Sequence, residues 1–281
     1  MAIASDFFNV RNLVDKVKTG RMTPGALARA VGRTVGLFGI TLGMGIELTI
    51  AHQLVGGKDP TLGARRMKVW CATVCRLFQV RCRVTGTPPF GETWERAHGG
   101  RPTGVLLVCN HRSYSDIPVV GSLLPIVFVS KAELRDWPVI GWGGELAGTL
   151  FVARDNPDSR RQVRSQVLER LRQGLSVLNY PEGTTHGGEG MLPFKRGLFG
   201  VVAGQELELV PVVLTYPPTV GIEWAGQMTF LDHLLEKAGG GPIDVGVHFC
   251  APIRCEAHPE PDALMALVRS RMTEALEGAG S

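Results

Sequence analysis

The stretch Asn110-His111-Arg112-Ser113-Tyr114-Ser115-Asp116 follows an apolar run, Val105–Cys109, and sets an acid five positions after a histidine. In an ideal helix five residues advance about 500°, which leaves the two side chains about 140° apart. They meet only if the chain turns between them, and Ser113, Ser115 and the Ile117-Pro118 step suit a turn into a helix. Asp116 would then hold one ring nitrogen of His111 and leave the other to take a proton, the arrangement of a general base. The structural alternative is that Asp116 caps a helix while His111 fills space. Three further apolar runs end on polar groups: Lys131 after Ile126–Val129, Arg154 after Leu150–Ala153, and Pro181-Glu182-Gly183-Thr184-Thr185 after Ser176–Tyr180. No Gly-x-Ser-x-Gly elbow is present to carry an acyl group on serine. The His186–Gly190 loop lacks the Gly-Lys-Ser/Thr that completes a phosphate loop. None of the six cysteines forms a C-x-x-C pair, so reduced thiols and no metal site are expected.

These polar stretches need a frame that brings distant segments together. The runs above, with Leu209–Thr215 and Val245–Cys250, are apolar or β-branched throughout, as strands buried on both faces are. Residues 158–174 place Val163, Val167, Leu168 and Leu171 on one helical stripe, opened by Pro157 and Asp158 and closed by Gly174. Leu264–Leu276 has the pattern of a closing amphipathic helix. The alternation predicts an α/β fold: a single catalytic domain over 84–281 with a mostly parallel, helix-covered sheet. Function in such sheets gathers at the carboxyl ends of the strands, where His111, Lys131, Arg154 and Glu182 all fall. A chain of 281 residues with 44% apolar content suffices for one such body and an appended segment.

The appended segment is residues 1–83, expected to be helical and membrane-associating. Phe7, Val10, Val14 and Val17 recur at helical spacing among basic residues, the pattern of an interfacial helix. Thr34 to Ile46 passes without a charge before Glu47, short of the ~20 residues that span a bilayer. Arg29 and Arg33 precede this run, while Lys58, Arg65, Arg66 and Lys68 follow, so both flanks favour the cytoplasmic side. A segment that dips into one leaflet is expected, then an amphipathic helix over Arg65–Arg83. Residues 1–83 carry thirteen Lys/Arg against four Asp/Glu, whereas residues 84–281 carry seventeen against twenty-two. An acidic body speaks against nucleic acid as a partner, and the basic segment points to an anionic membrane surface, held as a monotopic or peripheral protein on its cytoplasmic face. The bland alternative is three soluble core helices.

Taken in order, the motifs resemble the glycerolipid acyltransferase family, whose best-known members acylate 1-acylglycerol-3-phosphate. His111 and Asp116 match its H-x4-D motif, Gly148–Arg154 is similar to its G-x-x-F-I-D-R block, Pro181–Thr184 matches P-E-G-T, and Val210-Pro211-Val212 its final proline motif. Phe128–Leu134 and Pro193–Gly197 are similar to other segments of the family, and the resemblance covers about 105–215. It implies direct transfer of a fatty acyl group to the free hydroxyl of a lysolipid. Acyl-CoA or acyl carrier protein would be co-substrate, with no other cofactor. In that scheme His111, oriented by Asp116, deprotonates the hydroxyl. Glu182, Gly183, Thr184 and Arg154 line the acceptor site, Thr185 and Pro211 belong to the substrate-binding set, and Lys131 faces an anionic head group as a point charge.

Two positions depart from the family pattern. Ala153 replaces an Asp before Arg154, and Thr185 stands where acceptors with a free phosphate usually meet an Arg. A phosphomonoester is best matched by a bidentate Arg. Thr185 therefore implies a less anionic or zwitterionic head group, such as a lyso-ornithine lipid or a lysophosphodiester, unless Lys195 and Arg196 supply the charge. The same His–Asp pair would also serve an acyl-thioester hydrolase, and a non-catalytic membrane-binding protein would keep the fold without the chemistry.

Overall fold

The computed structural model describes residues 22–91, 94, 104–224 and 229–279. The interfacial helix expected over 7–18 lies outside them. The described chain opens with two long helices, α1 (Pro24–Leu54) and α2 (Pro60–Leu77). Both start on a polar cap followed by proline. Thr23 Oγ1 accepts the Ala26 N–H at 3.2 Å, and Asp59 Oδ1 accepts that of Thr61 at 2.8 Å. The uncharged run from Thr34 is part of α1, whose 31 residues are long and apolar enough to cross a membrane by length and composition. Glu47 lies within the helix, as a good helix former can, and pairs with Arg66 of α2 at 2.7 Å.

After α2 the chain turns at Gln79, with φ 58°, directly into strand β1 (Val80–Gly86). The helix expected over Arg65–Arg83 thus ends at Leu77. Val80, Cys82 and Val84 face the core while Arg81 and Arg83 face solvent, an alternation of period two. The strand also runs across the expected boundary between 83 and 84.

The remaining elements are β2 (Val105–Cys109), α3 (Asp116–Gly121), β3 (Ile126–Lys131), α4 (Ile140–Leu146), β4 (Leu150–Val152) and α5 (Pro157–Arg172). Then follow β5 (Ser176–Asn179), α6 (Phe199–Val202), β6 (Glu208–Thr215), α7 (Phe230–Ala238), β7 (Ile243–Phe249), β8 (Ile253–Arg254) and α8 (Pro261–Ala279). The sheet order is β1-β7-β6-β2-β5-β3-β4, with β8 also on β6. Every pairing from β6 to β4 is parallel, β1 is parallel to β7, and β7 and β8 join β6 antiparallel.

Strand alternation divides the core in two. Leu106 and Val108 of β2 point to the layer formed by α5, α6 and α8, while Val105, Leu107 and Cys109 point to α2 and α3. Beyond α2 lies a third layer, in which Leu37 of α1, Val74 of α2 and Phe230 and Leu234 of α7 pack together. Two arginines of α1 fasten it. Arg33 Nη1 donates to the carbonyls of Ala238 and Gly240, both at 2.9 Å, and Arg29 donates to that of Gly239. These carbonyls are the unpaired acceptors at the end of α7, where a cation is favoured. Two basic residues expected to mark the cytoplasmic flank of the apolar run therefore cap the end of α7, Arg33 from a buried position.

The outer side of α1 differs. Val31, Val35, Leu42, Ile46, Ile50 and Leu54 are exposed there. They form a continuous apolar stripe, since positions four and seven apart share a helix face.

Candidate active site

The chain leaves β2 toward β3 and β4 on one side, returns through β5, and crosses to β6 on the other side. The carboxyl ends of β2 and β5 adjoin at this reversal, the crevice where open α/β sheets bind ligands. His111 follows β2 there, and Glu182 follows β5.

The turn from His111 into α3 brings the histidine and the acid together. His111 Nδ1 lies 2.8 Å from Asp116 Oδ2, with Asp116 fully buried and the His111 side chain 17% exposed. The same oxygen accepts the Arg112 N–H at 2.7 Å and the Ser113 N–H at 2.9 Å. Asp116 Oδ1 accepts the Tyr216 hydroxyl, from just past β6, at 2.7 Å. Four donors thus compensate one buried carboxylate, which desolvation alone would penalise heavily. With Nδ1 on the aspartate, Nε2 is the ring nitrogen turned away from the carboxylate. The Tyr180 ring stacks on the imidazole at 4.0 Å and 17°, so the ring plane is set from a second direction. Burial, then the charge of Asp116, pushes the Tyr216 phenol well above its ordinary range and keeps it a neutral donor.

The loop itself is clamped. His186 N–H donates to the His111 carbonyl at 3.0 Å, and Trp224 N–H to that of Arg112 at 3.1 Å. Arg112 Nη1 donates back to the carbonyls of His186 and Gly188. Asn110 finishes the frame by exchanging two hydrogen bonds with the backbone of Leu214, at 2.8 and 3.0 Å.

The other expected site residues divide. Glu182 is buried, and its two oxygens accept the N–H groups of His111 and Leu192, each at 2.8 Å, so its carboxylate ties the His111 loop to the segment at Leu192. Gly183 has φ 75°, and its carbonyl accepts from Arg154 Nη1. Thr184 is exposed beside it. Thr185 turns away, donating its hydroxyl to the Trp224 carbonyl at 2.5 Å. Lys131 ends β3 in register with Val152, two residues before Arg154. Burial of its ammonium, then the nearby charge of Arg154, lowers its pKa; Glu133 pulls it upward, and Lys195 adds a smaller push down. Arg196 is paired with Asp262 at 3.0 Å. Pro211 is not at the site. It sits inside β6, where the partner changes from β8 at Glu208 and Leu209 to β7 at Val212 onward. A residue without an N–H fits that changeover.

An apolar cavity of about 230 Å³ reaches the same loop at Tyr114 and Ser115. Leu37 and Met44 of α1, Trp70 of α2, Trp137, and Phe230 of α7 also line it. Gly45 lets α1 close over this space, because a Cβ there would stand 2.3 Å from the Trp142 ring. Among the described residues, no group of three or more His, Cys, Asp or Glu side chains gathers for a metal ion.

A family model described as Acyltransferase matches residues 95–215. The lyso-ornithine lipid O-acyltransferase of Pseudomonas aeruginosa is 32% identical over 225 residues, which cover 79% of this chain and 82% of that one. The chain belongs to the acyltransferase family. The Brucella abortus lyso-ornithine lipid O-acyltransferase is 33% identical over 223 residues, 73% of this chain and 79% of its own. The 1-acyl-sn-glycerol-3-phosphate acyltransferase of Neisseria gonorrhoeae is 36% identical over a shorter 120 residues, 43% of this chain and 47% of its own. The crystal structure of the 1-acyl-sn-glycerophosphate acyltransferase PlsC from Thermotoga maritima superposes with a TM-score of 0.61, covering 89% of this chain and 98% of that one. At 16% identity, that likeness establishes the shared fold.

Tyr180, Tyr216 and Asn110 were not foreseeable from their neighbours in the chain. Each reaches the His–Asp turn from a different strand end, without a local signature.

Proposed function

We propose that this acyltransferase transfers a fatty acyl group from an acyl thioester, of CoA or a carrier protein, to the hydroxyl of a lysolipid, with a lyso-ornithine lipid as the favoured acceptor. The observation that carries the proposal is the His111–Asp116 pair, with Nε2 turned away from the carboxylate, next to an apolar cavity that suits an acyl chain. His111 Nε2 takes the hydroxyl proton as the oxygen attacks the thioester carbonyl. The tetrahedral intermediate then expels the thiolate, which recovers the proton from His111. Asp116 stabilises the imidazolium formed between these steps. General-base action of this kind contributes about 10²–10⁴-fold, the remainder coming from positioning. The acceptor assignment is supported by the two long lyso-ornithine relatives and by Thr185, which is engaged with Trp224 and offers no guanidinium to a phosphomonoester. The apolar stripe of α1 supports docking on a membrane surface, where a lysolipid resides.

Product analysis with labelled acyl donor, with and without lysolipid, tests this function. Acylated lipid that requires both acceptor and His111 is expected. Free fatty acid released regardless of acceptor would replace the proposal with a thioester hydrolase. Equal inertness of wild-type and His111→Ala protein would replace it with a non-catalytic role.

A further inference from the structure

Lys195 lies outside the His–Asp turn, yet its side chain crosses the turn that carries Glu182. Its N–H donates to the Pro181 carbonyl at 2.9 Å. A Cβ on Gly183 would stand 2.7 Å from Lys195 Nζ and 2.9 Å from Cε, so the lysine occupies the space a side chain at 183 would fill. The Gly183 carbonyl is bonded to Arg154, and Arg154 is two residues beyond the register partner of Lys131. Three cations therefore converge on one turn, and the adjoining Glu182 binds the N–H of His111. None of the three forms an ion pair with a described residue, whereas Lys58, Arg66, Arg135 and Arg196 each have one. Like charges gathered in this way repel, and Glu133 offsets only part of the charge of Lys131 and Arg154; the lowered pKa of Lys131 reflects burial first and then the repulsion from Arg154. An anion arriving from outside relieves both.

We propose that Lys195 is an acceptor-binding residue that, together with Lys131, holds the anionic group of the head and thereby sets which lysolipids are acylated. This rests on the lysolipid function proposed above. Each ammonium is a compact point charge that approaches an anion independently, so a carboxylate and a phosphate are both chemically eligible. Lys195 is exposed.

The test compares wild type, Lys195→Ala and Lys195→Arg in mixed micelles with lyso-ornithine lipid or lysophosphatidate as acceptor. Lys195→Ala is expected to raise the acceptor KM about tenfold, the scale of one lost charge-assisted contact, while donor KM and kcat shift less than about threefold. Lys195→Arg should recover most of the loss. The acceptor whose KM responds identifies the anion. An unchanged acceptor KM, or an equal rise in acceptor and donor KM, overturns the role of Lys195. Equilibrium binding of the same lysolipids to His111→Ala and His111→Ala/Lys195→Ala proteins needs no turnover and separates the two hypotheses. About tenfold weaker binding to the double variant supports the head-group contact even if the chemistry proves different, and equal binding sinks it.

Discussion

Tyr216 donates its hydroxyl to Asp116 Oδ1 at 2.7 Å, while Oδ2 of the same carboxylate takes the ring of His111 and two main-chain N–H groups. The acid is thus joined to two strand ends at once, and its charge and its shape can be tested separately. Asp116→Asn keeps an oxygen for the three N–H donors, and its amide can face the Tyr216 oxygen. The fold should survive with a melting temperature within a few degrees of wild type, while kcat falls about 10²–10⁴-fold because the imidazolium loses its counter-charge. Asp116→Ala should instead unfold readily, since each buried donor left unpaired costs about 1–3 kcal/mol. An Asn variant with wild-type turnover would remove Asp116 from the mechanism.

The Tyr180 ring stacks on His111, but its hydroxyl is buried with no hydrogen-bond partner among the described residues. Tyr180→Phe removes that penalty and keeps the stack, so it should raise stability by about 1 kcal/mol, or a few degrees in Tm. Tyr180→Leu should lower kcat through a less fixed imidazole. Thermal melts of the pair check this, and a destabilised Phe variant would show that the hydroxyl has a partner.

Thiol reactivity should be uneven. A hydrogen bond from Cys75 lowers the Cys82 thiol, and Cys82 is partly exposed; burial raises Cys71, Cys109, Cys250 and Cys255, the last to about 12. Native alkylation near neutral pH, mapped by mass spectrometry, should label Cys82 first and the buried four only on unfolding. The raised group also has a linkage consequence. Its protonated form is favoured in the folded state, so that contribution is complete below the ordinary thiol pKa of 9.0 and is lost as pH rises toward about 12. Denaturation midpoints should therefore fall through that alkaline window, less steeply in Cys255→Ala.

Leu42 and Ile46 lie on the exposed stripe of α1 and touch no catalytic group. Replacing both with Glu should abolish co-sedimentation with anionic vesicles, because carboxylates are costly in the hydrocarbon boundary. Undiminished sedimentation would locate the membrane contact elsewhere.

The sheet was legible because β2 is apolar throughout and β5 and β6 are apolar between one polar residue at each end, the mark of strands covered on both sides. Strand β1 was not, since Arg81 and Arg83 continue the basic pattern of α2, and only the pairing with β7 makes it a strand. His111 and Asp116 were legible from a spacing that demands a turn. Glu182 and Thr185 were found by position but not by orientation, which is decided by the N–H of Leu192 and the carbonyl of Trp224 from remote segments. Arg29 and Arg33 show the same limit: a basic flank and a helix cap look identical until α7 is placed.

That fastening of α1 to the end of α7 makes the long helix an integral part of the domain. Helix α1 also roofs the apolar cavity, so trimming the chain to begin after Val55 should leave that cavity open and α7 frayed. On the membrane docking proposed above, a tilt of that roof would alter the room left in the cavity beneath it.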